Sequence, residues 1–506
     1  MEIARGCVKL FGMFNGERRK ETAAVLFVVA AAFLLRYWHL GSVGWVTEEF
    51  GHYLGMRLTN NSILHFSDSD SYTSMAKDYL EGRGLNPPFN PPMVTFLLIA
   101  IYKVFGYDFF SAKTMYALLG SLALAPVYFT ARALFGRQVA FATILLCAAS
   151  FTLIFITGAL NIENAYLLTL SLAVSLFTAL YTDGDFAKKH PVALPLVFGL
   201  CSGGAMLTRS EFALALALFF LMGIFKRRWS AAYKTRVAVL TLIGLLLAVS
   251  PWTYRNWEYM KNFNARYPQA RLPVFVPVAM NGPFNFVEGH SPWANGTYAP
   301  AVAGELKEGY FTALNATNPE HLMLLRDGFK LGWEYMKSHP DREFANLPVK
   351  LKVFANGFAN GFLLDNFPAG LQGGSESMAD SFVPDSGVML VLGLALFLAG
   401  AFIILREADA KTAIPFIPLA AVLFVTVMFY GLSRLAYPAL PYFFMVMAVA
   451  IARLWRRLNV PLARPYLAVT VLTATLLVAG FVQSRHFTVF HKEPRGGYGG
   501  FHLTPG

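Results

Sequence analysis

Two carboxylates separated by one residue form the first part of the chain that could carry out chemistry. Asp68 and Asp70 lie in the run His65-Phe66-Ser67-Asp68-Ser69-Asp70-Ser71-Tyr72, after the first apolar stretch. Carboxylates at this spacing suit either the removal of a proton from a hydroxyl group or the binding of a cation. The pattern is also typical of a helix N-cap, with Asp70 or Ser71 capping the helix through Leu80. Both interpretations stay open from these residues alone.

The composition requires a lipid environment around these residues. The 506-residue chain contains 56% hydrophobic and 14% charged residues, and its mean hydropathy is +0.48. Soluble cores do not hold that much apolar surface. The net charge of +12 indicates cytoplasmic loops that orient the spans, not a nucleic-acid partner. Neither a disulfide framework nor a zinc site is indicated by the three cysteines.

The apolar segments predict an all-α polytopic membrane protein with about 11 transmembrane helices. A span needs roughly 20 apolar residues to cross a hydrocarbon core of about 30 Å. The predicted spans are residues 22–39, 112–131, 138–158, 162–181, 191–208, 211–225, 236–252, 387–405, 413–431, 437–454 and 464–483.

A further apolar segment, residues 93–105, decides on which side the later loops lie. It is short and follows the proline-rich run 87–92. The positive-inside rule keeps the Lys and Arg residues of short loops on the cytoplasmic side. The basic loops, such as 226–236 and 453–464, all fall inside only if 93–105 does not cross. The sequence therefore predicts that 93–105 is a juxtamembrane helix on the outer face.

On this topology, several charged residues gather at the outer ends of spans. They are Glu163, Arg209, Arg255 and Arg434. Each one alone is often explained by extension of the side chain to the lipid headgroups. Isolated arginines opposite the basic loops run against the orientation rule, however, so a compensating interaction is expected. A lipid phosphate would supply it, because guanidinium groups pair with phosphate oxygens through two parallel hydrogen bonds.

Together these residues resemble the C-type membrane glycosyltransferases, which share the GT-C fold. The order and spacing of the following segments carry the resemblance: Asp68 to Tyr72, Leu134 to Arg137, Glu163, Leu207 to Arg209, Pro251 to Asn256 and Arg434 to Pro438. Within that class the chain is most similar to the protein O-mannosyltransferases and to the aminoarabinose transferases that modify lipid A. The likeness covers roughly residues 20–260 and 390–455.

The resemblance implies transfer of a sugar from a polyprenyl-phosphate donor to a lipid, glycan or protein acceptor on the extracytoplasmic face. Asp68 would be the general base in an inverting single displacement. Many relatives carry Asp-Glu where this chain has Asp68-Ser69, so the second carboxylate is either Asp70 or Glu163. No cofactor is certain, but Asp68, Asp70 and Glu163 could hold a divalent cation.

Two further sets of residues are assigned to the substrates through the resemblance. The donor phosphate would be held by Arg209, Arg255 and Arg434. Other substrate contacts are assigned to Tyr72, Asn256 and Tyr437. The remaining expected partners are membrane lipids.

The predicted topology divides the chain into four parts. Residues 1–260 form the catalytic transmembrane module, with a first outer loop at 40–111, and residues 253–386 form an extracytoplasmic insertion. Residues 387–484 supply the C-terminal transmembrane helices, and 485–506 a flexible tail. We expect a multi-pass protein of the bacterial inner or plasma membrane, with its active site on the periplasmic or extracytoplasmic side.

Two other classes of protein are compatible with the composition. A polytopic transporter or lipid flippase would place its ionisable residues near the middle of the membrane, on broken helices. A non-catalytic membrane assembly protein would use residues 253–386 as a docking surface. The charges at the outer ends of the spans favour the transferase over both.

Overall fold

The computed structural model describes residues 16–43, 58–59, 63–64, 67–85, 87–158, 160–182, 184–297, 318–359, 386–457, 466 and 468–475. Most residues in these ranges lie in helices. The strands within them are the short antiparallel pair β1 (Leu58–Thr59) and β2 (Ile63–Leu64). The predicted all-α fold is therefore confirmed.

The described helices are numbered here in chain order. Those before residue 270 are α1 (Gly16–Val43), α2 (Ser67–Leu80), α3 (Met93–Phe105), α4 (Phe109–Leu122), α5 (Leu124–Phe135), α6 (Arg137–Ala149), α7 (Ile162–Tyr181), α8 (Ala193–Thr208), α9 (Phe212–Phe225) and α10 (Ala231–Arg266). Those that follow are α11 (Gly282–Gly289), α12 (Pro319–Ser338), α13 (Pro340–Ala359), α14 (Ser386–Glu407), α15 (Phe416–Met428) and α16 (Leu440–Arg457). Short helical turns occupy Phe151–Phe155, Ile156–Gly158, Asp185–Lys189, Ala410–Ala413 and Ser433–Ala439.

The protein is an integral, multi-pass membrane protein. Among the described residues, six helices are long and apolar enough to cross a membrane, or seven if the bent pair Arg137–Ala149 and Thr152–Gly158 counts as one span. Every predicted span except the last coincides with a helix or a bent helix pair. Residues 464–483 lie mostly outside the described residues, so the count of about 11 stays a prediction.

The apolar core is built around α7 and α16. Helix α7 packs against α5 and α8, and α16 packs against α6 and α14. Close approach between α8 and α10 depends on glycine, because a Cβ at Gly199 would lie 2.1 Å from the Thr241 carbonyl oxygen. Small residues allow membrane helices to pack backbone to backbone in this way. On the outer surface of the bundle, Leu246 and Leu247 of α10 are exposed, as lipid-facing residues should be.

The basic residues gather at one end of the bundle. Glu21 of α1 accepts hydrogen bonds from the Nε atoms of Arg132 at 2.8 Å and Arg137 at 3.1 Å. Lys226 donates to the carbonyl oxygen of Tyr181, the last residue of α7. The basic loops that follow α5 and α9 therefore lie at the end of α7 opposite Glu163.

Helix α3 starts and ends toward the other end of the bundle. Pro91, just before α3, lines the same cavity as Glu163. After α3 the chain enters the 27-residue span Phe109–Phe135, which ends beside the basic loops. With 13 residues, α3 is about 20 Å long. Since the chain enters α3 at the cavity and the next span leads to the basic loops, both ends of α3 lie toward the cavity end, and the side of the membrane on which they lie stays a prediction.

The described part of the 253–386 segment is fastened to the transmembrane helices. Helix α10 has 36 residues, about 54 Å, so it continues well beyond a hydrocarbon core of about 30 Å. Near its centre, Trp252 donates its indole hydrogen bond to the Val278 carbonyl oxygen at 2.7 Å. The backbone N–H of Met280 donates to the carbonyl oxygen of Pro88 at 2.9 Å. These contacts bring the beginning of the segment onto the proline-rich run that precedes α3.

Candidate functional site

A cavity of about 860 Å³ opens at the end of the bundle opposite the basic loops. Its walls come from α2, the proline-rich run, the start of α7, the α8–α9 junction, the start of α11, the end of α15 and the turn before α16. Among its lining residues are Tyr72, Glu163, Arg209 and Arg434. Four of the residues singled out from the sequence, from distant parts of the chain, are therefore brought together.

Glu163 is the most buried acid of the cavity. It lies in the first turn of α7 and is 2% exposed. The Nε atom of Arg434 is 3.8 Å from its Oε1 atom. Within the described residues, neither carboxylate oxygen of Glu163 accepts a hydrogen bond. A buried carboxylate with a nearby cation and unused acceptor positions is suited to receive a hydroxyl group from a ligand.

Arg209 brings a second cation to the same wall. It ends α8, and its Nε atom is 2.6 Å from Oε1 of Glu211, which also lines the cavity. Its guanidinium group lies over the Tyr166 ring, with 5.6 Å to the ring centroid. The Arg209 charge is therefore fixed in orientation by a carboxylate and an aromatic face, in a position where an anionic ligand would meet it.

The acidic run of α2 meets the start of α7. Ser69 is buried, and its hydroxyl group donates to Oδ1 of Asn161 at 3.0 Å. Asn161 directly precedes α7, two residues before Glu163. The side chains of Asp68 and Asp70 lie outside the described residues, although both residues belong to α2. The backbone that carries them is therefore held beside the start of the helix that carries Glu163.

The interpretation of Asp70 or Ser71 as an N-cap is wrong. Helix α2 begins at Ser67, so both residues lie inside its first turns. The Ser71 hydroxyl group instead accepts a hydrogen bond from Nδ2 of Asn90 at 3.4 Å. Within this helical run the Thr73 hydroxyl donates to the Ser69 carbonyl oxygen at 2.8 Å, while the Ser69 hydroxyl bonds Asn161.

Arg255 and Asn256 are not among the residues that line the cavity. The Arg255 guanidinium lies between the rings of Trp252 and Tyr259, each with 4.9 Å to the centroid, and donates to the Leu85 carbonyl oxygen. Fully buried Asn256 donates to the carbonyl oxygen of Val276 at 3.0 Å. Both side chains thus hold neighbouring backbone segments, and a direct contact with substrate stays a prediction.

Tyr437 also lies away from the cavity lining. It is buried in the main apolar core, one turn beyond Arg434 in the helical turn Ser433–Ala439. Its packing fixes the segment on which Arg434 is carried. The substrate contact assigned to Tyr437 stays a prediction as well.

Several lining residues were not predicted from the sequence. Besides its charged residues, the cavity is lined by uncharged amides and aromatic rings, among them Asn90, Asn281, Phe329 and Tyr430. The Nδ2 atom of Asn281 is 3.4 Å from Oδ1 of Asn90. The richness of residues 253–386 in Asn and aromatic residues was a signal, but it does not tell which of them face the cavity. The cavity lining thus combines charged groups with neutral amides and aromatic rings.

A buried carboxyl group lies on α11, outside the cavity lining. Glu288 is fully buried, and burial raises its pKa from an ordinary value of 4.5 to about 8. Between those two values the unfolded chain binds fewer protons than the folded chain, so the free energy of unfolding falls as the pH rises.

We expect Glu288→Gln to remove this pH dependence. The stability of the native protein should fall by about 1.4 kcal/mol per pH unit between pH 5 and 8, and the variant should be the more stable protein at pH 8. Melting temperatures in detergent across this range measure the effect. Glu258→Gln, which changes an exposed glutamate of α10, is the control. An equal decline for Glu288→Gln and the native protein would contradict the assignment.

A divalent cation site was also considered from the sequence. Among the described residues, no group of three or more His, Cys, Asp or Glu side chains is arranged to hold a metal ion. The side chains of Asp68 and Asp70 lie outside the described residues. Cation binding by Asp68, Asp70 and Glu163 therefore stays a prediction.

The fold is similar to the GT-C fold of the C-type membrane glycosyltransferases, and the resemblance predicted from the sequence is confirmed. The family model for dolichyl-phosphate-mannose-protein mannosyltransferase matches residues 89–254. The oligosaccharyltransferase of Archaeoglobus fulgidus in the apo form has a TM-score of 0.52 at 14% identity, over 92% of this chain and 56% of that chain. The same enzyme tethered with an acceptor peptide containing the NVT sequon has a TM-score of 0.51 at 15% identity, over 92% and 55%.

A further solved structure covers more of its own length. ArnT from Cupriavidus metallidurans bound to undecaprenyl phosphate has a TM-score of 0.36 at 15% identity, over 85% of this chain and 77% of that chain. In comparison, the present chain spans a little more than half the length of the archaeal enzyme. Among curated proteins no match was found.

Proposed function

We propose that the protein transfers a sugar from a polyprenyl-phosphate donor to a hydroxyl group of a lipid, glycan or protein acceptor. The observation that carries this proposal is the convergence of the α2 acidic turn with Glu163, Arg209 and Arg434 at one cavity. The matched family model, named for a dolichyl-phosphate-mannose donor, supports the donor class. The GT-C fold supports the general type of reaction.

The charged residues of the cavity are suited to the donor phosphate. Arg209 and Arg434 line the cavity together with Glu163, and a phosphodiester bound beside them would receive several charge-assisted hydrogen bonds. As the sugar leaves, the phosphate gains negative charge, and fixed cations stabilise that charge in the transition state. Arg255 holds the Leu85 backbone ahead of the proline-rich run, and its direct contact with the donor phosphate stays a prediction.

Asp68 is the general base of the proposed reaction. The acceptor oxygen attacks the anomeric carbon, the bond from that carbon to the phosphate oxygen breaks, and the acceptor proton passes to the Asp68 carboxylate. Polyprenyl phosphate leaves, and the anomeric configuration is inverted. Positioning of the acceptor in line with the leaving group supplies much of the rate acceleration. The second acidic residue is Glu163 or Asp70, which orients the acceptor or a bound cation.

The amides and aromatic rings of the cavity lining are suited to sugar hydroxyl groups. Amide groups such as those of Asn90 and Asn281 both donate and accept hydrogen bonds, and aromatic faces pack against the C–H faces of a sugar ring. In this proposal the transferred unit is a hexosyl or pentosyl group. The basic loops at the far end of the bundle support an extracytoplasmic position for the site, in a bacterial inner or plasma membrane.

The proposal is tested with purified protein, a panel of polyprenyl-phosphate sugars and membrane extract as the source of acceptor. We expect one member of the panel to lose its sugar to a component of the extract, with release of one polyprenyl phosphate for each sugar transferred. Heat-denatured protein is the control. If every donor in the panel stays intact while the protein remains folded, the proposed activity is wrong.

A further inference from the structure

Residues of the 253–386 segment contact the C-terminal end of α15 and the residues just after it. The contacted residues lie three to seven positions before Arg434. Building on the proposed function, we propose that Lys350 and His290 of this segment are positioning residues for the donor phosphate. They act through Arg434 and make no contact with the donor themselves. Their part in the reaction is to fix the turn that carries the phosphate-binding cation.

Two buried side chains donate to the last carbonyl groups of α15. Lys350 Nζ donates to the Val427 carbonyl oxygen at 3.0 Å, and His290 Nε2 donates to the Met428 carbonyl oxygen at 2.8 Å. The last carbonyls of a helix have no partner within the helix and carry its negative dipole end. Lys350 is 2% and His290 1% exposed, so water does not replace these donors easily.

A carboxylate completes the side-chain contacts. Oε2 of Glu343 is 2.9 Å from Nδ1 of His290. Because a carbonyl oxygen can only accept, Nε2 of His290 carries a proton. A second proton lies between Nδ1 and Oε2 of Glu343, since two acceptors cannot pair without one, and Glu343 thereby fixes the ring through its other nitrogen. Glu343 also offsets the charge of Lys350, which lies on the same helix. Glu343 therefore holds the His290 ring directly, whereas its effect on Lys350 is electrostatic.

Backbone contacts of the same segment continue along the chain toward Arg434. The Gly431 N–H donates to the Gly296 carbonyl oxygen at 2.9 Å. Gly289 lies so close to Phe429 that a Cβ there would be 2.0 Å from the Phe429 carbonyl oxygen. The contacts of the segment therefore involve Val427, Met428, Phe429 and Gly431, in a stretch of five residues.

The contacted residues and their neighbours in the chain form part of the cavity wall. Phe429, Tyr430 and Leu432 line the cavity together with Arg434, which lies in the turn that follows. A small shift of this stretch would change the distance from Arg434 to the phosphate and to Glu163. Binding groups fixed before the ligand arrives cost less ordering on binding. Loss of the contacts that Lys350 and His290 make with α15 should thus weaken donor binding more than it slows the chemical step.

Lys350→Met tests this inference, with Lys352→Met as the matched control. Lys352 is an exposed lysine on the same helix. In purified full-length protein in nanodiscs, Lys350→Met should raise the Kd for polyprenyl phosphate and the KM for the donor by roughly tenfold. Its kcat should stay within about twofold, and Lys352→Met should match the native protein in all three constants.

Coupling to Arg434 separates positioning from general damage. In an Arg434→Gln background, Lys350→Met should add little further loss of polyprenyl phosphate binding, because both changes remove the same interaction. His290→Gln, which keeps a donor toward Met428, should bind better than His290→Ala. This second pair serves if Lys350→Met fails to fold in a thermal melt.

The outcomes distinguish this inference from the proposed function. If the native protein binds no polyprenyl phosphate, the proposed function fails and this inference falls with it. If the native protein binds and Arg434→Gln weakens binding, while Lys350→Met and His290→Ala bind normally, the inference alone is overturned. Full additivity of Lys350→Met with Arg434→Gln would likewise overturn it.

Discussion

Asp68→Asn should lower turnover by about 10²- to 10⁴-fold while polyprenyl phosphate still binds. The amide that replaces the carboxylate cannot take up the proton of the attacking hydroxyl group. It keeps the size of the side chain and leaves Arg209 and Arg434 unchanged. The measurement is kcat in the transfer assay together with the Kd for polyprenyl phosphate. Asp78→Asn is the matched control, because Asp78 lies on the same helix and pairs with Arg83 away from the cavity.

The same series decides which carboxylate assists Asp68. Ser69 ties the acidic turn to Asn161, so both Asp70 and Glu163 are available as the second acid. The variant of the assisting residue, Asp70→Asn or Glu163→Gln, should lose more activity than the other. Native turnover by Asp68→Asn would remove Asp68 as the base.

Arg434→Gln should raise the donor KM by about 10- to 100-fold, since a charge-assisted hydrogen bond to the phosphate is lost. The change also leaves Glu163 without the cation that lies 3.8 Å from it. Arg434→Lys should restore only part of the affinity, because an ammonium group cannot form the two parallel hydrogen bonds of a guanidinium group.

Steady-state kinetics over a range of donor concentrations measure this effect. Arg453→Gln is the control, because Arg453 lies near the C-terminal end of α16 and pairs with Glu407 there. An unchanged KM for Arg434→Gln would exclude Arg434 from donor binding. The donor phosphate would then have to be sought at Arg209 alone or outside the cavity.

The transmembrane part of the fold could be predicted from the sequence because hydropathy reports burial in lipid directly. The predicted span 162–181 is α7 without a change of boundary. With α7 and the basic loops assigned, charged residues at the opposite span ends had to meet on one face. For this reason Glu163, Arg209 and Arg434 were correctly expected to lie at the same end of the bundle.

Arg255 shows the limit of that reasoning. The apolar segment 236–252 was predicted to end just before it, but α10 continues to Arg266. A helix that leaves the membrane becomes polar without ending, and hydropathy does not register its continuation. Arg255 therefore lies on the side of a projecting helix, between Trp252 and Tyr259.

The part of the cavity lining that comes from residues 253–386 could not be predicted from the sequence, for a different reason. Its contacts join residues far apart in the chain, as in Lys350 with Val427 and Asn281 with Asn90. A single lysine or asparagine in a polar segment carries no local signal of its distant partner. Even for α12, at Pro319–Ser338, a local helical pattern does not tell which distant residues it meets.

The most direct test of the central claim determines on which side of the membrane each end of the bundle lies. Single cysteines replace Arg228, in a basic loop, and Lys330, which neighbours Phe329 of the cavity lining, in a chain without the native cysteines. A membrane-impermeant maleimide added to intact cells should label Lys330→Cys at once and Arg228→Cys only after the membrane is opened. Labelling of Arg228→Cys in intact cells, or of both from the same side, would contradict an outward-facing site that unites α2 with Glu163.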